Sequence, residues 1–299
     1  MKFSVIIPTL NAGRQIATLL DALAKQTIQP DEVLVVDSSS ADGTADAARA
    51  RGAKVQVIPR EQFDHGGTRD QALRRISGEL VIFMTQDALP VSDDTLAHLL
   101  SSFSDERVAA TTGRQIAYPN ARPFEKAFRE YRYPAENLVW TQVDVAALGA
   151  AAFRLTDVFA AYRREAYVAV GGFDHPLRTN EDMLMAQKLL ANGWKLCYRG
   201  DAAVYHSHCS TLRQEYCRNC LIGSVLARYA DRFDGLSLKS EGMKMVQHVA
   251  GRLLREGHPL ECCAFIMNCA ARLLGHEAGV RLNRKEAAKA NGRDLTGGV

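Results

Sequence analysis

The sequence predicts an α/β fold, with a mostly parallel sheet flanked by helices and a helical C-terminal extension. Three observations carry this. Apolar runs of strand length alternate with amphipathic segments through the first 90 residues. The loops after three of those runs hold carboxylates, hydroxyls and glycines. From His208 onward the pattern is helical.

The elements follow in order. Phe3 to Pro8 is apolar and rich in β-branched residues, as a buried strand requires. Asn11 to Gln26 places Ile16, Leu19, Leu20 and Leu23 at helical spacing. Glu32 to Val36 is a second strand and Ser38 to Gly43 a loop. Thr44 to Arg51 is an Ala-rich helix stopped by Gly52. Val55 to Ile58 is a third strand, Gly67 to Ile76 a helix stopped by Gly78, and Leu80 to Met84 a fourth strand. Such alternation gives parallel strands joined by right-handed crossovers. Ligands then sit beyond the carboxyl ends of the strands. That points to the loops after Pro8, Val36 and Met84. The pattern is less regular from Thr111 to Asp157, although Pro123 suits the start of a helix with Phe124, Phe128 and Tyr131 on one face. Asp182 to Asn192 is a helix ended by Gly193. Trp194 to Tyr198 and Ala202 to Tyr205 are strands. Leu212 to Tyr229, Leu238 to Glu256 and Leu260 to Leu274 are helices, and the polar end from Lys285 frays.

Composition narrows the class. With 47% hydrophobic and 24% charged residues, the 299-residue chain is of ordinary globular make-up and can bury a sizeable core. A net charge of +3 lacks the concentrated basic face of a nucleic-acid binder, so no nucleic-acid partner is expected. The start does not read as a signal peptide, and no apolar run reaches the length of a spanning helix. The expected location is cytoplasmic. Seven cysteines with no export signal point to reduced thiols. Cys217 and Cys220 have CxxC spacing without a second pair, so they are read as structural thiols.

The chemistry-bearing residues sit mainly in those loops. Asp37 ends the second strand, where a carboxylate can accept hydrogen bonds from a base or ribose; the same loop also suits a helix N-cap at Ser40 or Asp42. Asp87, just past the fourth strand, is a hard oxygen ligand suited to Mg²⁺ or Mn²⁺, or else a loop cap. Glu181 and Asp182 open a helix, either as plain dipole compensation or as a general base for an acceptor hydroxyl. His206 and His208 follow a strand and share a face if it continues, where one could complete a metal site. In the segment Arg60 to Arg69, Gly66 and Gly67 permit close backbone approach. The helix N-terminus there, with His65 and Arg69, can cradle an anion; an ordinary turn before a helix is the alternative.

In order and spacing these segments resemble the family 2 glycosyltransferases, which have the GT-A fold. The resemblance rests on Val5-Ile-Ile-Pro-Thr-Leu-Asn11, on Glu32 to Thr44, and on Gly171-Gly-Phe-Asp174 followed by Glu181-Asp182 and Leu189 to Gly193. It covers residues 3 to about 208. It implies a catalytic domain over 1–208, with a nucleotide-binding half to about 113 and an acceptor half from 114, and an extension over 209–299. It also implies Asp182 as catalytic base, with Glu181 beside it. The nucleotide contacts it suggests are Pro8, Thr9, Asn11, Asp37, Ser39, His65, Gly66, Arg69 and Gln86. The family's metal motif is DxD. Here that slot reads Thr85-Gln86-Asp87, so the first acid is missing and Asp87 is left with His206 or His208 to hold the metal. The segments Phe63 to Arg69, Thr85 to Pro90, His206-Ser-His208 and Leu273 to Gly279 resemble a bacterial rhamnosyltransferase subgroup. That subgroup uses dTDP-L-rhamnose to build surface polysaccharides such as lipopolysaccharide.

The expected reaction is a single in-line displacement with inversion at the anomeric carbon, onto a saccharide or lipid-linked saccharide acceptor. A UDP- or GDP-linked donor and a non-catalytic sugar-nucleotide-binding module are the alternatives. A dehydrogenase is excluded, because the turn after the first strand lacks GxGxxG. In the extension, Lys244 and Arg252 sit among Met243, Met245, Val246, Val249, Leu253 and Leu254. That mixture suits peripheral contact with an anionic membrane surface, and equally packing on the catalytic domain or in a homo-oligomer.

Overall fold

The structure is a computed structural model describing residues 1–207, 210–233 and 238–294. Its elements are β1 (Phe3–Thr9), α1 (Gly13–Leu23), β2 (Glu32–Asp37), α2 (Thr44–Arg49), β3 (Lys54–Val57), α3 (His65–Leu73), β4 (Leu80–Met84), β5 (Leu89–Pro90), α4 (Thr95–Leu100), β6 (Val108–Ile116), α5 (Pro123–Arg132), β7 (Leu138–Trp140), α6 (Val145–Leu148), β8 (Phe159–Arg163), α7 (Arg164–Ala169), α8 (Glu181–Ala191), β9 (Lys195–Tyr205), α9 (Leu212–Arg228), α10 (Leu238–Arg255) and α11 (Pro259–Asp294). The chain divides into two compact units. One holds Met1–Ala121, Arg129–Leu177 and Glu181–Ser207; the other holds Arg122–Phe128, Arg178–Asn180 and His208–Val299.

In the first unit, one sheet runs β3-β2-β1-β4-β8-β6-β9-β5, with β7 paired to β9. The strands β3, β2, β1 and β4 are parallel, as their alternation with helices predicts. β8 enters antiparallel between β4 and β6, and β6 pairs parallel with β9. β1 is buried on both faces. Phe3, Val5 and Ile7 pack with Ile16, Leu19 and Leu23 of α1, and Ile6 points to the other side. A strand so enclosed must be apolar at every position, and this one nearly is. Beneath the opposite face, Phe83 of β4 meets Tyr162 and Tyr167, with ring centroids 5.4 and 6.1 Å away.

Three readings change. The helix expected over Leu260 to Leu274, with fraying from Lys285, is one helix, α11, that continues to Asp294. The strands expected at Trp194 to Tyr198 and Ala202 to Tyr205 are one strand, β9, whose register against β6 jumps between the pairs Gly113–Arg199 and Arg114–Ala203. The extra residues include Gly200, where a side chain would meet the backbone of Ala135. The irregular stretch after Thr111 contributes β8, whose Phe159, Ala160, Ala161 and Tyr162 are all buried.

In the second unit, α9 begins with a capping box between Thr211 and Gln214. α9 and α11 meet backbone to backbone. A Cβ at Gly223 would strike the carbonyl of His276, one at Gly275 that of Tyr216, and one at Gly279 that of Cys220. Val249 and Leu253 of α10 are fully buried with Ala127, Cys262 and Phe265. The apolar face of α10 is therefore largely spent on packing inside its own unit, although Met243 and Leu254 remain exposed. Among the described residues no helix is long and apolar enough to cross a membrane.

Candidate active site

A cavity of about 280 Å³ opens at the carboxyl ends of β1 and β4, lined by Pro8, Thr9, Leu10, Ser38, Arg60, Phe63, His65, Arg69, Thr85 and Gln86. This is where the strand order places a ligand crevice. Its walls are tied together by neutral hydrogen bonds. Leu10 N donates to Gln86 Oε1 at 2.8 Å, and Gln86 Nε2 returns to the Leu10 carbonyl at 3.3 Å and to Gln15 at 3.3 Å. Asp37 is buried under the crevice. Its oxygens accept from Thr9 Oγ1 at 3.0 Å, from Ser40 Oγ at 2.5 Å and from Ser40 N at 2.9 Å. Its carboxylate therefore braces the two strand ends. Asn11, at φ 48°, receives the Ala41 N–H on its side-chain oxygen at 3.1 Å. Ser39, at φ 56°, donates to the Ile58 carbonyl at 2.8 Å. Asp42 accepts from Gly13 N at 2.9 Å and Thr44 N at 3.2 Å, so it caps the starts of both α1 and α2.

Asp64 caps α3 by accepting from Gly67 N at 2.6 Å, and its second oxygen accepts from Leu177 N at 2.7 Å. Gly66 lies against Phe173 and Asp174, and a Cβ there would stand 2.9 Å from each. The glycine thus has a packing reason: the helix start must close on the Gly171–Asp174 segment.

Asp87 and His206 come together past β4 and β9, with Oδ2 3.3 Å from Nδ1. His206 is buried just beyond the end of β9, while His208 lies outside the described residues. Thr85, in the place of the missing acid, donates its N–H to Val158 at 3.1 Å; its buried hydroxyl has no hydrogen-bond partner among the described residues. Among those residues no group of three or more His, Cys, Asp or Glu is assembled to hold a metal. One carboxylate and one imidazole nevertheless fit a cation that completes its shell with phosphate oxygens and water, the usual mode for Mg²⁺.

The cluster between α3 and α8 is built on charge. Arg69 reaches from α3 to α8, its Nη1 3.0 Å from Glu181 Oε1 and 2.9 Å from the His65 carbonyl, with Nε 3.6 Å from Asp157 Oδ2. Its guanidinium lies 5.8 Å from the Phe83 ring centre. Arg69, Asp157 and Glu181 are all buried. Burial opposes the charge of Arg69, but Asp157, Glu181 and Asp182 outweigh it and raise the Arg69 pKa. Asp182 is half-buried and accepts from Met183 N at 2.7 Å and from Asp157 N at 3.4 Å. Burial, then the neighbouring Glu181 and Asp157, push its carboxyl well above the usual range. The two adjacent acids thereby differ in their partners: Glu181 is held in an ion pair with Arg69, whereas Asp182 accepts from the backbone N–H groups of Met183 and Asp157.

A second cavity of about 280 Å³ is walled by Leu138, Val139, Trp140, Leu148, Leu155 and Tyr198, and includes Thr156, the neighbour of Asp157. Trp140 is fixed as a wall by its Nε1, which donates to the Ala152 carbonyl at 2.7 Å.

The sequence profile of the family described as "Glycosyl transferase family 2" matches residues 4–171. The chain is 34% identical over 284 residues to the O-antigen chain rhamnosyltransferase RfbN of Salmonella typhimurium, covering 93% of this chain and 90% of that one. It is 38% identical over 282 residues to the O-antigen chain rhamnosyltransferase WbaN of Salmonella anatum, covering 93% and 89%. The chain belongs to glycosyl transferase family 2. Its fold is similar to that of the mannosyltransferase PcManGT of Pyrobaculum calidifontis, solved with GDP-mannose and Mn²⁺. That likeness has a TM-score of 0.59 at 23% identity, over 99% of this chain and 81% of that one.

In this family 2 glycosyltransferase, the residues singled out in the sequence fall into two groups. Pro8, Thr9, His65, Arg69 and Gln86 line the cavity at the carboxyl ends of β1 and β4. Asn11, Asp37, Ser39 and Gly66 build its frame instead, as their bonds and packing show. Sequence reasoning missed Asp157 and Tyr162. The only hint was an acid standing directly before a buried apolar strand.

Proposed function

We propose that this glycosyltransferase transfers L-rhamnose from dTDP-L-rhamnose, with inversion, onto a saccharide or lipid-linked saccharide acceptor in the synthesis of a bacterial surface polysaccharide. The observation that carries the chemistry is the division of labour between Glu181 and Asp182. Glu181 is bound to Arg69 at 3.0 Å, which leaves Asp182 as the base; Asp182 lines neither cavity itself, but its Oδ2 accepts from the N–H of Asp157, whose neighbour Thr156 lines the second one. The donor assignment is supported by the two O-antigen rhamnosyltransferases to which the chain is 34% and 38% identical over most of its length.

Asp182 removes the proton of the acceptor hydroxyl as that oxygen attacks the anomeric carbon. A raised carboxyl pKa increases the driving force for this transfer as long as the carboxyl is ionised at the working pH, so a value brought near that pH serves best. Arg69, locked to Glu181 and Asp157, keeps α3 and α8 in register and so fixes the distance from donor crevice to base. Gln86 clamps the Leu10 loop, keeping the crevice open to the nucleotide. Asp87 and His206 are the residues that would hold a divalent cation, which supplies charge neutralisation to the departing diphosphate. The solved PcManGT complex with GDP-mannose and Mn²⁺ supports that reading.

In the helical extension, the exposed Leu260, Met267 and Leu274 recur every seventh residue along α11. They are the surface by which it would meet a membrane or a second copy. Sedimentation with anionic liposomes beside a mass measurement separates the two.

The test is donor hydrolysis and transfer with dTDP-L-rhamnose, UDP-glucose, UDP-galactose and GDP-mannose, with Mn²⁺ or with chelator. Activity confined to dTDP-L-rhamnose and lost in chelator is expected. Preference for a UDP-hexose overturns the donor assignment, and full activity in chelator overturns the role of Asp87 and His206.

A further inference from the structure

The acceptor side holds three carboxylates, Asp157, Glu181 and Asp182, around a single guanidinium, that of Arg69. Glu181 and Asp182 were expected at the helix start. Asp157 was not, and the mechanism above gives its side chain no part beyond holding Arg69. It is buried, which is costly for a carboxylate unless something holds it there. Tyr162 Oη donates to its Oδ1 at 2.6 Å, and Arg69 Nε lies 3.6 Å from its Oδ2. Its backbone N–H points at Asp182 Oδ2, 3.4 Å away. Tyr162 is itself packed among Phe83, Tyr167 and Phe173, which keep water from the far side of the pair. One residue thus touches the base through its main chain while its side chain presents a charge beside it.

We propose that Asp157 is a positioning residue for Asp182: its N–H orients the base, and its Tyr162-braced carboxylate sets the negative surroundings that make the base effective. The proposal rests on Asp182 as the base. The charged and titratable groups facing Asp157 are Arg69 from α3, Glu181 and Asp182 from α8, Tyr162 from β8 and Tyr167 from α7. Burial pushes the Asp157 carboxyl up to about 6, with Arg69 opposing and Glu181 adding to the rise. A group raised above its unfolded value in this way weakens folding as pH climbs through that range. The burial of this carboxyl is then accounted for by function rather than by stability.

The sign follows from electrostatics. Asp157→Asn keeps the shape and the N–H but removes a negative charge beside Asp182. Asp182 should then release its proton more readily. The direct measurement is a ¹³C titration of aspartate carboxyls in the full chain, with Asp182 identified by its absence in Asp182→Asn. In Asp157→Asn the Asp182 midpoint should fall by about one pH unit, roughly tenfold in its dissociation constant. The acidic limb of kcat should move down with it while the KM for donor stays constant, and the melting temperature at pH 8 should be equal or higher. The second variant, Tyr162→Phe, keeps the carboxyl but removes the hydrogen bond that orients it and favours its charged form, and its kcat should fall several-fold at unchanged donor KM. An Asp182 midpoint that does not move in Asp157→Asn overturns the proposal, as does unchanged kcat in Tyr162→Phe. Full transfer by Asp182→Asn would instead remove the base assignment beneath it, a result the carboxyl titration does not produce.

Discussion

The two sides of the active centre are built on opposite principles. The donor crevice is held by individual hydrogen bonds between loops that are each short in sequence: Gln86 to Leu10, Asn11 to Ala41, Ser39 to Ile58, and the Asp37 carboxylate to Thr9 and Ser40. The acceptor side is held by charges drawn from α3, the strand entry at Asp157 and α8, and Arg69 and Glu181 stand 112 residues apart. A crevice of adaptable, solvated amides tolerates the loss of one contact. A buried ionic cluster does not tolerate the loss of its single cation, because that strands the carboxylates around it. Disturbance on the donor side should therefore show mainly in binding, and on the acceptor side in rate and in folding.

The largest expected effect is at the base. Asp182→Asn should lower transfer by roughly 10²–10⁴, with donor binding held within a few-fold. Steady-state rates beside calorimetric titration with the nucleoside diphosphate check this. A near-normal rate would erase the contrast by moving the base elsewhere. Next comes Arg69→Met, which leaves the buried carboxylates without their cation and should destabilise the fold by about 3–5 kcal/mol near neutral pH. Unpaired carboxylates can take up protons, so this deficit should shrink as pH falls from 8 towards 5. Urea unfolding at both pH values measures it, and a pH-independent deficit would mean that lost packing, not charge, is responsible. The smallest effect should be Gln86→Ala. Three bonds of a half-buried amide are lost, a change of about 1–2 kcal/mol, read as a donor KM up roughly tenfold with kcat little altered. A larger fall in kcat than rise in KM would show that the donor clamp also governs chemistry.

Much of this was legible in the sequence, and unevenly so. The parallel strands β1, β2 and β4 announce themselves as short apolar runs that are largely buried, whereas β3 is a half-polar edge strand legible only from its place in the alternation. The crevice residues were readable because they stand immediately after those strands. β8 was hidden by its antiparallel insertion between β4 and β6, which no local period reveals. β9 was read as two strands because Gly200 and its neighbours break the pattern where the register shifts. Asp157 escaped for a similar reason. Its meaning lies in Arg69, Tyr162 and Asp182, and a lone acid in a linear text gives no sign of three distant neighbours. Glu181 and Asp182 were found as a pair, yet only the guanidinium beside one of them tells which is tethered.

The glycines of α9 and α11 lead somewhere different. Gly223, Gly275 and Gly279 each accommodate a carbonyl of the opposite helix, so the two helices recognise one another by where side chains are missing. An ordinary apolar seam can slip by a turn and still bury similar surface. Here a slip would drive a backbone oxygen into a side chain. Three single-hydrogen residues thus act as a key cut in the negative, fixing alignment without any attractive group of their own. Such a joint resists gradual change. Many substitutions elsewhere on these helices can accumulate, whereas adding one methyl group at Gly279 should be felt along the entire pair.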